Sequence, residues 1–179
     1  GYAVQAILTR NARRFIGPLT FEAITRRPVI TSQWSAGMNS DIEHIALATG
    51  MRALVVAPAT ANIIGKFANG IADDFLSALH LATRAPLLLA PAMNTVMWEH
   101  PAVQDNLARL VARGARIVEP GEGYLACGWV GRGRLAEPDE IAEAADRLVR
   151  SADAAPSTLA GRRILISAGP TCEDLDPVR

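Results

Sequence analysis

Cysteine is scarce in this chain: Cys127 and Cys172 are the only two among 179 residues. Two thiols make no disulfide framework, which excludes the small stapled folds of secreted proteins and leaves a reducing cytoplasm as the expected compartment. Surplus charge is missing as well. Lys and Arg total 18 against 18 Asp and Glu, so nothing points to nucleic acid or an anionic membrane surface as a partner. No apolar run approaches the ~20 residues of a membrane span, and no secretory leader is visible. Internal repeats and low-complexity tracts are absent. No methionine opens the chain. Gly1 stands inside a run that reads as a strand in progress, and the residues before Arg179 stop just after another begins, so the expectation is a piece of a longer protein.

What is present suits one ordinary domain with some chain left over. Half of the residues are apolar, enough for a substantial core. Apolar runs at 2–8, 53–57, 85–90 and 115–118 read as strands. Helical patterns separate them. A helical turn at 12–16 is stopped by Gly17-Pro18, a short helix covers 20–25, and 28–30 is extended before a loop at 33–39. Ser40-Asp41-Ile42-Glu43 has the form of a capping box and opens a helix. Helix follows through Phe67 and, after Gly70, over 71–83. Another runs from Pro101 to Arg113 and is closed by Gly114. The last opens on Pro138-Asp139-Glu140, with Ile141, Ala144, Ala145 and Leu148 as its buried stripe. Residues 151–161 read as a linker and 162–167 as a new strand. Such alternation predicts a three-layer α/β/α domain with a mostly parallel sheet.

The richest stretch is Pro91-Ala92-Met93-Asn94-Thr95-Val96-Met97-Trp98. It follows the run 85–90, and open α/β sheets bind ligands just beyond the carboxyl ends of their strands. A proline, an amide and a large aromatic there suit a binding edge, although Met and Trp suit a core equally. The run 53–57 leads into Pro58-Ala59-Thr60-Ala61-Asn62-Ile63-Ile64-Gly65-Lys66. Small residues, a hydroxyl and an amide at a strand-to-helix turn allow close backbone approach to a phosphate or a polar ring edge; an ordinary loop is the other reading. His44 falls near the start of the helix opened by Ser40. The positive end of the helix dipole disfavours imidazolium by roughly 0.3–1 kcal/mol, so a neutral His44 could act as a base near pH 7. A partly buried histidine with a backbone partner is the alternative. Asp73-Asp74 read as first-turn helix charges sooner than as paired acid–base carboxylates, and His100 as a helix-start residue. Residues 119–137 hold Gly121, Gly123, Gly128, Gly131 and Gly133 around Cys127, a composition that reads as a lid or binding loop. A thiol in a closing flap could donate a proton once water is excluded. By composition alone, Cys127 is equally an inert small apolar residue.

Pro-Ala-Met-Asn-x-x-Met-Trp resembles the signature of the flavin-dependent cysteine decarboxylases, in the branch that acts on phosphopantothenoylcysteine in coenzyme A biosynthesis. Pro58-Ala59-Thr60-Ala61-Asn62 resembles the flavin-contact motif of that family, with Ile63 where threonine is common. Gly123-Tyr124-Leu125-Ala126-Cys127-Gly128 through Gly133-Arg134-Leu135-Ala136-Glu137-Pro138 resembles its substrate-recognition flap, and His44 matches its active-site histidine. The resemblance covers nearly all of 1–150. Gly161-Arg162-Arg163-Ile164-Leu165-Ile166-Ser167 and the residues that follow resemble the opening of a fused phosphopantothenate–cysteine ligase. The layout implied is a decarboxylase domain at 1–150, a linker at 151–160 and the first strand and turn of a ligase at 161–179. The family's first strand and phosphate-gripping glycine loop would precede Gly1.

The resemblance implies a Rossmann-like flavoprotein fold with a glycine-rich flap, FMN as cofactor, 4'-phosphopantothenoylcysteine as substrate, and a homotrimer or dodecamer. Mg2+ and CTP would serve only the ligase, and no metal site is expected in this domain. Flavin contacts are implied at Thr9, Pro58, Ala59, Thr60, Ala61, Asn62 and Met93, and substrate contacts at Asn94, Met97, Ala126 and Cys127. Three residues are implied to be catalytic. His44 would be a base or position the carboxylate, Asn94 would hydrogen-bond the carboxylate, and Cys127 would donate the proton in the final reduction. The chemistry implied is oxidation of the cysteine moiety to a thioaldehyde, which accepts the electron pair left by carbon dioxide, followed by reduction. The rival readings are a peptidyl-cysteine decarboxylase and a flavin prenyltransferase, which share the fold, a non-catalytic flavin-binding regulatory subunit, and a nucleotide-binding α/β domain of unrelated function. The ligase-like carboxyl terminus argues against a peptidyl-cysteine decarboxylase, and the joint presence of His44, Asn94 and Cys127 argues against a non-catalytic flavin-binding regulatory subunit.

Overall fold

The computed structural model describes residues 1–32, 40–124, 128 and 130–153. Two helices precede the sheet: α1 (Pro18–Thr25), opened by Gly17 and Pro18, and α2 (Ser40–Gly50), which starts where the capping-box pattern places it. Three apolar runs then form a parallel sheet of β1 (Leu54–Ala59), β2 (Leu87–Pro91) and β3 (Arg116–Ile117), in that spatial order. Parallel neighbours cannot be joined by a tight turn and need a crossover. Helices α3 (Ala61–Asn69) and α4 (Phe75–Ala82) make the first; α5 (Thr95–Glu99) and α6 (Pro101–Ala112) make the second. An antiparallel hairpin follows, β4 (Gly121–Tyr124) with β5 (Val130–Arg134), and then α7 (Pro138–Asp153).

Side-chain alternation along β2 shows why the domain has three layers. Leu87 and Leu89 enter the main core with Ile64, Phe67, Leu79, Trp98, Leu107 and Leu110, which come from the crossover helices. Ala90 belongs instead to a second cluster with Ala136 and Ile141, at the start of α7. Adjacent strand residues face opposite ways, so helices cover both faces of the sheet. Full burial of a Leu or Phe side chain contributes about 1.5–3 kcal/mol, and Phe67, Ile64, Leu79, Leu88, Leu89 and Leu110 are all buried almost completely.

Several expectations shift. The run 2–8 makes only an isolated parallel bridge between Ile7 and Ile30, and Tyr2 and Val4 stay exposed. Apolar residues make a strand only where a neighbour lies alongside, and over most of this run none of the described residues does. Pairing of β1 with β2 is regular from Leu54 to Val56 and breaks before Ala59. Pro58, which has no N–H to give the ladder, sits in the break. The helix expected over 71–83 starts only at Phe75, because Asp74 caps it. Helix α7 runs to Asp153, past the expected start of the linker. The loop at 33–39 and the strand at 162–167 lie outside the described residues.

A charged brace joins α3 to α4. Lys66 Nζ lies 2.6 Å from Asp73 Oδ1 and 2.9 Å from Asp74 Oδ2. Asp74 also accepts the Ser77 N–H at 2.8 Å, while the fully buried Ser77 takes the Asp74 N–H at 3.0 Å, a reciprocal cap. The Asp73 and Asp74 hydrogen bonds hold the Lys66 pKa above its usual range. Burial works to raise the Asp74 pKa, but Lys66 and Ser77 together bring it below the usual value. Lys66 and Asp74 therefore face each other as ions at neutral pH, and the aspartates serve the brace between the two helices. Replacing Asp74 with Ala removes the cap and is expected to lower stability by about 1–2 kcal/mol, read from urea denaturation.

His80 stacks on Phe67 with ring centroids 3.9 Å apart. Burial pushes its pKa below 6.5, and the nearby Arg113 adds to the shift. The unfolded chain therefore takes up this proton first as pH falls. The contribution of His80 is complete above about pH 6.5 and is lost as pH drops through the lower folded value. Urea midpoints measured from pH 7.5 to 5 should decline for this reason, and less steeply in His80→Leu.

Candidate functional site

Two strand-end turns meet at the carboxyl edge of the sheet. The Ala92 N–H donates to the Ala59 carbonyl at 3.1 Å, tying the turn after β2 to the turn after β1. Ala59 is fully buried, whereas Pro58, Thr60 and Asn62 are exposed around it. Thr60 has extended backbone and caps α3, its Oγ1 accepting the Ile63 N–H at a long 3.4 Å. Asn62 presents its amide on the first turn with no hydrogen-bond partner among the described residues. Ile63 offers only its backbone to this turn. Its side chain is in the main core, the reason a threonine-type contact is not made from that position.

After β2, Asn94 caps α5 by accepting the Val96 N–H on Oδ1 at 2.8 Å. The octapeptide divides by face. Trp98 is a core residue, Met93 is partly buried against that core, and Met97 is half exposed. The core reading of this stretch therefore holds for Trp98, while Met97 is left at the surface. The five-residue helix α5 is what separates them, and its start is marked in sequence only by the asparagine.

The glycine-rich region is the β4–β5 hairpin, and it lies on this turn. Met93 N–H donates to the Gly133 carbonyl at 3.0 Å. A Cβ added at Gly133 would collide with the Met93 carbonyl oxygen, and the residue has φ +135°, a conformation L side chains rarely adopt. A Cβ at Gly131 would lie 2.6 Å from Thr95 Oγ1. Gly131 and Gly133 are therefore sealing positions. Alternate glycines of a single strand thus face the Asn94 turn, an arrangement that glycine spacing alone does not reveal.

Thr9 is placed differently. Its hydroxyl accepts the Ala12 N–H at 3.2 Å, and it borders a cleft of about 170 Å³ with Arg10, Thr31, Ser32, Asp73 and Asp74. None of the residues of the two strand-end turns borders that cleft. His44 lies in the first turns of α2, but its side chain is outside the described residues, as are Ala126 and Cys127. His100 caps α6 through Nδ1, which accepts the Ala102 N–H at 3.1 Å, a structural role that matches the expectation. Among the described residues no group of His, Cys, Asp or Glu could hold a metal, and no helix is long and apolar enough to cross a membrane.

The exposed side chains of Thr60 and Asn62, on either side of the core residue Ala59, give this edge polar atoms that a ligand could meet. An α/β domain binding at the carboxyl ends of parallel strands is a nucleotide-type binding domain. Comparison with known proteins sharpens this. A family profile described as Flavoprotein matches residues 1–150. The coenzyme A biosynthesis bifunctional protein CoaBC of Bacillus subtilis (strain 168) is 49% identical over 179 residues, 100% of this chain and 44% of that protein. Among solved structures, the FMN-dependent cysteine decarboxylase SpaF is 37% identical with TM-score 0.70, over 83% of this chain and 79% of that one. A mutant PPC decarboxylase complexed with pantothenoylaminoethenethiol is 31% identical with TM-score 0.72, over 83% and 84% of the two chains. The chain belongs to the flavoprotein family. It spans 44% of the length of the CoaBC protein it matches.

Substituting Gly133 with Ala should unseat the hairpin without unfolding the sheet. Brief digestion at low protease concentration should cut the hairpin several times faster than in the unmodified protein, with the far-ultraviolet circular dichroism unchanged.

Proposed function

We propose that this chain is the FMN-dependent decarboxylase part of a cytoplasmic bifunctional protein that converts 4'-phosphopantothenoylcysteine to 4'-phosphopantetheine. The observation that carries the reading is the junction of the two strand-end turns, tied by Ala92 and Ala59 and covered by a glycine-sealed hairpin. The names of CoaBC, SpaF and the PPC decarboxylase support it. Residues 1–150 would form the decarboxylase, 151–160 a linker, and 161–179 the beginning of a phosphopantothenate–cysteine ligase that uses CTP and Mg2+.

Pro58, Ala59, Thr60, Ala61, Asn62 and Met93 are the residues that would hold FMN, together with Thr9 in this reading. When bound, FMN supplies the two-electron oxidation and reduction that make loss of carbon dioxide from a cysteine moiety feasible. The chain supplies position and protons. Asn94 accepts the Val96 N–H on its side-chain oxygen at the start of α5, and from there it would hydrogen-bond the substrate carboxylate. Met97, half exposed on α5, would flank the substrate. His44 would serve as base or carboxylate partner, and Cys127, in the hairpin connection with Ala126, would deliver the last proton. The hairpin would exclude water while these transfers occur.

Assembly as a homotrimer or dodecamer is part of this reading. Phe15, Leu19 and Ile24, on and beside α1, are exposed at 90%, 76% and 74%, apolar side chains that contact between copies would bury.

The test is turnover by the full-length protein supplied with FMN, followed by carbon dioxide release. Asn94→Asp keeps a good helix cap but sets a carboxylate against the substrate's own. It should lower kcat/KM by roughly 100-fold or more with stability unchanged. Cys127→Ser should still release carbon dioxide and accumulate the oxidised product. Lack of carbon dioxide release by the unmodified protein would overturn the reading.

A further inference from the structure

Thr95 opens α5 beneath β5. Its hydroxyl oxygen is buried and has no hydrogen-bond partner among the described residues. Gly131 is the cover: a Cβ there would stand 2.6 Å from Thr95 Oγ1 and 3.2 Å from Thr95 Cγ2. Two residues along the same strand, the Gly133 carbonyl accepts the Met93 N–H at 3.0 Å. Seating the hairpin thus makes one backbone hydrogen bond and, in the same movement, strips a hydroxyl of water while returning nothing to it. A buried hydroxyl left without a partner costs at least as much as a typical net hydrogen bond contributes. The two effects oppose each other across one small contact.

We propose that Thr95 is the release element of the hairpin, its stranded hydroxyl weakening the seat of β5 on the 93–95 turn and setting how often the hairpin lifts. Lifting restores water to Thr95 and breaks the Met93–Gly133 bond together. A valine has nearly the same shape and nothing to hydrate, so it would leave the seat unopposed. The consequence for turnover rests on the reading of the hairpin as the cover of a decarboxylase site. Thr95 would then act on catalysis through the hairpin, as a positioning residue that makes closure reversible on the timescale of product release.

Amide hydrogen exchange tests this at single residues. The Met93 amide reports the seat directly, since Gly133 holds it. The Ile64 amide, bonded to the Thr60 carbonyl at 3.1 Å, reports the rest of the fold. In Thr95→Val the Met93 amide should exchange about tenfold more slowly, with Ile64 unchanged, while Thr95→Ser, which keeps the hydroxyl, should match the unmodified protein. Should Thr95→Val fail to fold, Thr95→Ala is expected to move Met93 in the same direction. Met93 exchange that is equal or faster in Thr95→Val, slowing shared equally by Ile64, or the same slowing in Thr95→Ser would each overturn the proposal. With FMN and 4'-phosphopantothenoylcysteine, Thr95→Val should lower kcat while preserving the single-turnover rate. Absence of any turnover in the unmodified full-length protein would count against the decarboxylase reading and leave the exchange result standing.

Discussion

One backbone hydrogen bond, from Ala92 to the buried Ala59, is the hinge pin of the molecule. It joins the chain just after two parallel strands have ended, where the pairing of β1 with β2 has already been disturbed at Pro58. Parallel strands leave their carboxyl ends on the same edge, and the loops that follow must diverge into crossover helices. Keeping the two loops together for one more residue makes both of them start from one point on that edge. Each loop then opens a helix through its own polar side chain, Thr60 for α3 and Asn94 for α5. The side chains that define the edge are the same ones that start the helices.

The helices are in turn held against movement by polar contacts some way from that edge. Lys66 fastens α3 to the amino-terminal cap of α4. On the other flank, Arg109 donates to Asn69 at 2.7 Å and Arg113 to the Ala68 carbonyl at 2.8 Å, so α6 grips the carboxyl-terminal end of α3. With its amino-terminal end tied to the sheet and its other end clamped on two sides, α3 has little freedom to rotate. The exposed amide of Asn62 inherits that rigidity. A group aimed by a braced helix keeps its direction better than one on a free loop.

Much of this could be read from sequence, for identifiable reasons. Buried strands betray themselves as apolar runs, and those at 53–57, 85–90 and 115–118 mark the sheet. Caps are local, so Ser40 and His100-Pro101 place their helices closely. What escaped reading depends on contacts between distant segments. The run at 2–8 has strand chemistry but no flanking strand among the described residues. Ile63 could not be assigned to core or turn until the rotation of α3 was known. Gly131 and Gly133 carry no side chain to advertise what they touch, and their partners Thr95 and Met93 lie across the domain in sequence. The turn motif at Pro58 and the octapeptide at Pro91 were legible as an edge, but the bond between them was not.

The bare inner face of β5 carries a consequence for how the hairpin is held. Because Gly131 and Gly133 admit no side chain, the strand meets the Met93–Thr95 turn with main chain alone, and the outward residues Arg132 and Arg134 are engaged with Glu119, Glu122 and Glu137. Over its seated length the hairpin is therefore held by close main-chain approach, with no side chain of these two residues to fasten it. Exchanging side chains on the outer face would accordingly leave that main-chain contact with the Met93–Thr95 turn in place.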